Sequence, residues 1–464
     1  MVAGGINMSL IDGRSKADWQ SLDRDHYLHP FTDHKDLSQK KSRIITKAQG
    51  VYIYDVEGNE ILDAMSGLWC VNVGYGRKNL AEAAASQLNE LPYYNSFFQC
   101  ANPPSIELAQ NLKEITQTQF NRVFYTGSGS ESIDTMIRIV RRYWEVLKQP
   151  QRKTIIARKN AYHGSTIAGV SLGGMNSMHA QGGPLLPSIE HIDQPYWFGS
   201  DRSLSIDEFG LKAASQLEEK IVELGAENVA AFVGEPIQGA GGVIIPPDTY
   251  WPEIERICNH YEILMITDEV ICGFGRLGEW FGADHFKVKP DLMTFAKGVT
   301  SGYLPLGGVM VGDRVADTLV DKGGEFAHGF TYSGHPASCA VAIENIRILE
   351  DEKLIERTKD EIGPYMQEKW QSLGAHPIVG ETRMVGLMGA MELVSNKESF
   401  ERFDDKSKAG TIFRDYAVNN GLVMRAVGDT IVTAPPLIIT KDEVNELIEK
   451  AWQCLDHTQS VMSD

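Results

Sequence analysis

The chain has 464 residues, more than one simple core accommodates, so two domains sharing an interface are expected. Hydrophobic residues make up 42% and charged residues 23%, the proportions of a soluble globular enzyme. The formal charge of −18 is spread along the chain, which excludes a binder of phosphate backbones and offers nothing to an anionic membrane surface.

Six cysteines stand at 70, 100, 258, 272, 339 and 454, far apart and without a CxxC pair. That spacing suits reduced thiols better than a disulfide framework or a zinc site, so no metal is expected. The opening MVAGGINMSLIDGRSKADW lacks a continuous apolar stretch and a cleavage site. No uncharged apolar run approaches the length of a membrane span. The expectation is a cytoplasmic protein.

From about residue 50 to 336, short apolar runs alternate with longer amphipathic ones. The first predicted strand, RVFYT (122–126), leads into YTGSGSES (125–132) and then a helix with Ile133, Met136, Ile137, Val140, Trp144 and Leu147 on one face. Small residues at a helix start let backbone N–H groups and the helix dipole face an anion. The alternative is a Gly/Ser turn with Ser130 capping the helix. It is not a P-loop, since no Gly-Lys-Ser/Thr follows.

Next come TIIA (154–157) and Asn160-Ala161-Tyr162-His163-Gly164. Here Tyr162 could stack on a flat ligand, or pack under a loop with His163 as a cap. The helical pattern LKAASQLEEKIVELG precedes the strand VAAFVG (229–234). EILMIT (262–267) then ends in Asp268-Glu269. In open α/β sheets ligands lie beyond the carboxyl ends of the strands, so Asp268 points into the expected site, where a buried carboxylate calls for a cationic ligand atom. The alternative is that Asp268 caps a turn or pairs with Arg276. The GFGRLG that follows satisfies GxGxxG, but EWFG behind it carries no helical pattern, so a dinucleotide site is rejected.

DLMTFA (291–296) ends at Lys297, followed by a glycine-rich loop; the strand GGVMVG (307–312) comes next. A buried lysine amine loses its proton more easily and becomes a nucleophile, although a lysine at such a place can equally snorkel to the surface. After His335-Pro336 long helical patterns dominate, then short strand candidates, then a helix opened by the capping-box spacing Thr440 to Glu443. The expected division is an N-terminal segment (1–69) joining a small α+β domain (337–464), with a large domain (70–336) between. Together an anion site, a ring-stacking Tyr162, a carboxylate for a protonated nitrogen and an amine for an aldehyde describe one ligand, pyridoxal phosphate.

The motifs SGLW (66–69), YTGSGSE (125–131), NAYHGST (160–166), EPIQGAGG (235–242), DEVICGFGR (268–276), AKG (296–298) and HGFTYSGHP (328–336) carry a resemblance over nearly the whole chain. The sequence resembles the class III aminotransferases of the fold-type I pyridoxal-phosphate superfamily. LWCVNVGYGR, QPYWFG, PPDTYWPEI and MRAVGDT bring it nearest the putrescine–pyruvate branch. The resemblance implies an α/β fold with a mostly parallel seven-stranded sheet between helices, plus a smaller α+β domain. It implies that Lys297 holds the cofactor covalently, Asp268 meets the pyridine nitrogen, Gly129 and Ser130 bind phosphate, and Tyr162 and Val270 enclose the ring. Thr331 is implied to reach the phosphate of a neighbouring subunit, which makes a homodimer, or a dimer of dimers, with shared sites. Trp69, with Phe97 and Phe98 lent by the partner, would line the substrate pocket. Arg425 would bind a substrate carboxylate and swing out for amines, with Glu235 near it or the cofactor.

Two departures stand out. Ile271 replaces a glutamine common in the class, a change that shifts the subgroup rather than the reaction. Ser132 and Ile133 replace the usual Ala and Asn after the phosphate turn, which would weaken cofactor binding if that Asn holds the turn. The implied reaction moves an amino group from a terminal amine to pyruvate. The alternatives are an ω-amino acid transaminase of the β-alanine or 4-aminobutyrate type, an aminomutase or decarboxylase on the same fold, and a cofactor-binding regulator.

Overall fold

After two short helices, Lys16–His26 and His34–Lys40, the chain lays down three antiparallel strands, β1 (Ile45–Gln49), β2 (Tyr52–Asp55) and β3 (Glu60–Asp63). The computed structural model describes residues 13–200 and 202–463. The first twelve residues, part of the stretch read above for a leader, lie outside the described residues, as do residues 201 and 464.

Seven strands then build the central sheet: β4 (Phe120–Thr126), β5 (Thr154–Arg158), β6 (Ile189–Ile192), β7 (Val229–Gly234), β8 (Leu264–Asp268), β9 (Leu292–Phe295) and β10 (Gly307–Gly312). Their order is β4-β10-β9-β8-β7-β5-β6, with β10 antiparallel to both neighbours and the other pairings parallel. Six of the seven correspond to the apolar runs of the sequence. The exception is β6, an edge strand reading IEHI, whose Glu and His break any apolar run.

Burial on both faces explains why those runs are continuous rather than alternating. Ile155, Ala157, Ala231, Val233, Leu264 and Ile266 pack with the Gly129–Val146 helix. Their strand neighbours Ile156, Phe232 and Met265 pack on the other face, against the helices Ile206–Leu224 and Tyr250–His260. The period of two along each strand thus sends alternate side chains to opposite helical layers.

Beyond Pro336 the long helical pattern divides. The Pro336–Asp351 helix ends, Lys353 turns left-handed at φ 49°, and a new helical run starts at Leu354. Within it Thr358–Ile362 forms a π turn that closes at Gly363, just before Pro364. Pro364 has no N–H to continue the ladder, so the turn widens there. Gly363 is required, because a Cβ would stand 2.2 Å from the Thr358 carbonyl oxygen. A second sheet follows in the order β11 (Val379–Val385), β12 (Met388–Leu393), β15 (Thr430–Thr433), β14 (Arg425–Val427). The short β13 (Leu422–Val423) instead pairs in parallel with β3, joining the two ends of the chain. Thr440 and Glu443 make the expected capping box at the start of the Lys441–Ser463 helix.

Two buried arginines tie these parts together. Arg276 donates to Asn72 Oδ1 (2.7 Å), Ser66 Oγ (3.2 Å) and the carbonyl of Pro435, so it joins the SGLW segment to the C-terminal strands rather than pairing with Asp268. Arg383 of β11 donates to the carbonyls of Gly242 (2.6 Å) and Val243 (2.7 Å) and pairs with the fully buried Glu392 at 2.7 Å. Glu392 also pairs with Arg402 at 2.7 Å and accepts from Thr430 Oγ1 at 2.8 Å. Glu392→Gln removes the carboxylate that Arg383 and Arg402 share, leaving Arg383 with Glu381 alone, and is expected to cost about 1–3 kcal/mol. The check is a lowered unfolding midpoint with unchanged circular dichroism.

Candidate active site

Five strands of the central sheet, β4, β5, β7, β8 and β9, end at one place, and each contributes the residues just past its carboxyl end. The result is a cavity of about 560 Å³ whose walls include Trp69, Gly129, Tyr162, Asp268, Lys297 and Arg425. Ser130, Glu235, Val270 and Ile271 also line it.

After β4 the Gly129–Val146 helix begins. Its cap is Ser128, whose hydroxyl accepts from the Glu131 N–H at 3.2 Å, rather than Ser130. Ser130 Oγ instead accepts from the Ser165 N–H at 3.0 Å, tying the turn to the NAYHG loop. Position 129 is tight, since a Cβ there would meet both methyls of Val270 at 3.2 Å. The turn does not lack support for want of an Asn at 133. The buried Ser132 hydroxyl bonds to the carbonyl oxygens of Ser128 (2.9 Å) and Phe295 (3.3 Å) and to Thr126 Oγ1 (2.8 Å), while Ile133 packs in the core.

Past β5, Tyr162 donates its backbone N–H to Glu235 Oε1 at 3.1 Å, and the second Glu235 oxygen accepts from Gly239 at 2.9 Å. Burial raises the Glu235 carboxyl above its ordinary range, with His163 opposing. His163 Nδ1 lies 2.7 Å from Asp268 Oδ2, and both side chains are buried. The other Asp268 oxygen accepts from Thr294 Oγ1 (2.9 Å) and the Val270 N–H (3.2 Å). Protein donors therefore already satisfy this carboxylate, so its burial alone does not demand a cationic ligand atom. Its neighbour Glu269 faces away, accepts from the Gly282 (2.7 Å) and Ala283 (2.8 Å) N–H groups, and is pushed up to about 8 by burial.

Lys297 follows β9 in a left-handed conformation, φ 48°, a strain that non-glycine residues adopt where the surroundings impose it. Burial lowers its amine below the ordinary lysine range, against the pull of Cys70, Asp268 and Glu235. Across the cavity Arg425 opens β14, and burial lowers it too. It forms no ion pair with a carboxylate among the described residues. Trp69 is buried at φ 63°, and its indole N–H has no partner among the described residues. The histidine was missed as a partner of Asp268 in the sequence, because β5 and β8 are separated by β7 and only the strand order brings their ends together.

Three expected residues lie elsewhere in their own chain. Thr331, Phe97 and Phe98 are exposed and outside the cavity walls. Phe97 is 38% and Phe98 90% exposed, beside the exposed Tyr93, Tyr94 and Tyr332. Tyr93 donates its hydroxyl to the Thr331 carbonyl at 2.8 Å, so the 93–98 and 328–335 loops form one aromatic surface.

Residues 35–455 match the family model described as aminotransferase class-III. The chain belongs to this family. It is 58% identical to the putrescine–pyruvate aminotransferase of Pseudomonas aeruginosa over 98% of this chain and 100% of that one. It is 40% identical to a chloroplastic gamma aminobutyrate transaminase 3 of Solanum lycopersicum over 93% of this chain and 84% of that one. Among solved structures, the omega transaminase of Pseudomonas jessenii in complex with PMP superposes with a TM-score of 0.93 at 38% identity, covering 96% and 99% of the two chains.

The cofactor of this aminotransferase is pyridoxal phosphate. The cavity fits it chemically: a helix start with glycine at 129, a tyrosine ring, a fixed carboxylate and a buried lysine amine. His163 Nε2 is buried without a partner among the described residues, so the pair has one orphaned atom on the side away from Asp268.

The lowered Lys297 pKa has a consequence for stability that can be measured in cofactor-free protein. Between its lowered folded value and the ordinary 10.5, the unfolded state binds the extra proton, so this group's contribution to stability rises with pH. At neutral pH, below the ordinary 10.5, burying this amine is a penalty that Lys297→Met removes. The variant is therefore expected to exceed cofactor-free wild type in stability near pH 7, with the gap closing as pH approaches 10.5. Denaturant unfolding of both proteins across that range is the check, and a constant gap would contradict it.

Proposed function

We propose that this aminotransferase carries an amino group from a terminal amine, putrescine or a related diamine, to pyruvate, leaving an aldehyde and alanine. The observation that carries the substrate reading is the 58% identity, over nearly all of both chains, with a protein named for that reaction. The cavity suits it. One pocket must take a cationic amine tail in one half-reaction and a carboxylate in the other. An arginine with no fixed carboxylate partner, Arg425, can meet the second and withdraw from the first. The Trp69 ring beside it can take a cationic tail by cation–π contact.

When bound, pyridoxal phosphate supplies an aldehyde for the incoming amine and a ring that draws electrons from the reacting carbon. The chain's own groups do the rest in this reading. The N–H groups at Gly129 and the hydroxyl of Ser130 hold the phosphate at the helix start. Tyr162 and Val270 hold the ring between them. Asp268, pinned by His163 and Thr294, keeps a proton on the pyridine nitrogen. Lys297 Nζ would hold the cofactor covalently and, when free, would carry the proton taken from the substrate carbon. Glu235 fixes the backbone of Tyr162 from below.

The reading extends to assembly. Thr331, Phe97 and Phe98 serve the neighbouring subunit's cavity, which makes the working unit a homodimer with shared sites. The exposed aromatic loops support this, since large apolar side chains clustered at a surface mark an interface. The large and small parts, 70–336 and 337–464 with 1–69, act as two domains enclosing the cavity. No helix among the described residues is long and apolar enough to cross a membrane, and with six free cysteines the reading places the enzyme in the cytoplasm.

The second reading, an ω-amino acid transaminase, is favoured by the 40% identical gamma aminobutyrate transaminases and by Arg425 itself. Absorbance of the purified holoenzyme separates the two. Putrescine alone is expected to bleach the cofactor's visible band and pyruvate to restore it. Bleaching by 4-aminobutyrate but not by putrescine supports the second reading. A band that survives Lys297→Ala unchanged in position and reactivity sinks the assignment of that lysine. Arg425→Ala is expected to raise KM for pyruvate about tenfold or more while changing KM for putrescine far less, as loss of a charged hydrogen bond to one substrate requires.

A further inference from the structure

The Gly129–Val146 helix presents its first turn to the cavity, and its outer face does something different. Arg138, Arg141 and Arg142 line a groove of about 400 Å³ there, against the loop that holds Phe326. A second groove of about 290 Å³ adjoins it, lined by Arg152 and Lys153, and the two share Arg141 and Glu145. Five cations thus face two carboxylates, Glu145 and Glu325, on a chain whose net charge is −18.

Arg142 pairs with Glu145, and Glu262 and Glu227 act on Arg152, but Arg138 and Arg141 form no ion pair among the described residues. Arg138 donates to the Ala327 carbonyl at 2.9 Å and lies 3.1 Å from His328 Nδ1. Arg142 donates to the Gly323 carbonyl, and its one carboxylate contact, Glu145, is 3.3 Å away. Arg141 reaches only the Pro187 carbonyl, at 3.3 Å. Arg152 donates to the Tyr261 carbonyl at 3.3 Å, with its guanidinium 4.5 Å from the centre of the Trp144 ring. The Nε atoms of Arg141 and Arg152 are buried without partners among the described residues. Burial alone lowers Arg141, with no carboxylate acting to restore it. A buried donor left unpaired costs about 1–3 kcal/mol, and a row of forked donors fixed by backbone carbonyls matches the oxygens of an anion.

We propose that this double groove, centred on Arg141, binds a small polyvalent oxyanion such as a phosphate ester or a polycarboxylate. It is separate from the cofactor phosphate: Arg141 stands 12 residues beyond Gly129, about 18 Å along the helix axis. None of its residues lines the cofactor cavity.

Calorimetric titration of the holoenzyme at fixed ionic strength, with inorganic pyrophosphate in one arm and citrate in the other, tests this. At least one of the two anions is expected to bind saturably, one per chain, with the cofactor absorbance unchanged. Binding of pyrophosphate alone assigns the phosphate class; equal binding of both assigns a general oxyanion site. Arg141→Gln is expected to weaken binding at least tenfold, Arg141→Lys less, and the remote Lys212→Gln not at all. Transamination kcat should stay unchanged in all three, which shows that the variants fold. Absence of saturable binding by either anion, equal binding by wild type and Arg141→Gln, or heat that tracks loss of cofactor absorbance would overturn the proposal. A change in sedimentation of Arg141→Gln would also overturn it, by assigning the groove to contact with a second copy.

Discussion

Asp268 is held by three donors from three different places: the His163 ring on the loop after β5, the Thr294 hydroxyl on β9, and the backbone N–H of Val270 two residues on. A buried carboxylate is tolerated only when its oxygens are hydrogen-bonded. Here that requirement fixes the relative position of β5, β8 and β9 at their carboxyl ends. Everything the cavity needs hangs on those ends. Tyr162 precedes His163, Val270 follows Asp268, and Lys297 follows β9. Loss of the carboxylate's partners would therefore disturb Tyr162, Val270 and Lys297 together.

A second layer of contacts keeps those ends from drifting. Glu235 receives the N–H groups of Tyr162 and Gly239, and Arg383 holds the carbonyls of Gly242 and Val243 from the far sheet. Arg276 joins the SGLW segment to Pro435. Arg276 donates to carbonyls, an amide oxygen and a hydroxyl, Arg383 also pairs with Glu381 and Glu392, and both connect parts of the chain outside the cavity walls. Arg425, in contrast, lines the cavity and forms no ion pair with a carboxylate among the described residues.

The aromatic surface formed by Tyr93, Tyr94, Phe97, Phe98 and Tyr332 fits the same economy. Its two loops are tied to each other by the Tyr93 hydroxyl on the Thr331 carbonyl, so they form a shaped surface before any partner arrives. A preformed surface lowers the ordering cost of association. The arginine groove on the Gly129–Val146 helix is a local exception to the acidic balance of the whole chain.

The sequence by itself determined a great deal here. Six central strands, the large helices and the last helix's capping box were legible because burial on both sheet faces, amphipathic period and cap chemistry are local properties. The short motifs also placed Lys297, Asp268, Tyr162 and Gly129 at strand ends, where the cavity lies. The edge strand β6 escaped because four residues with a Glu and a His carry no period. The break at Gly363-Pro364 escaped because a π turn is set by a missing donor, not by hydrophobicity. What only the tertiary structure decided is pairing across the sheet: His163 with Asp268, Arg276 with Asn72 rather than Asp268, Ser132 as the support of the phosphate turn, and β13 beside β3. Those contacts depend on strand order and on which loops face each other, and no local pattern encodes either.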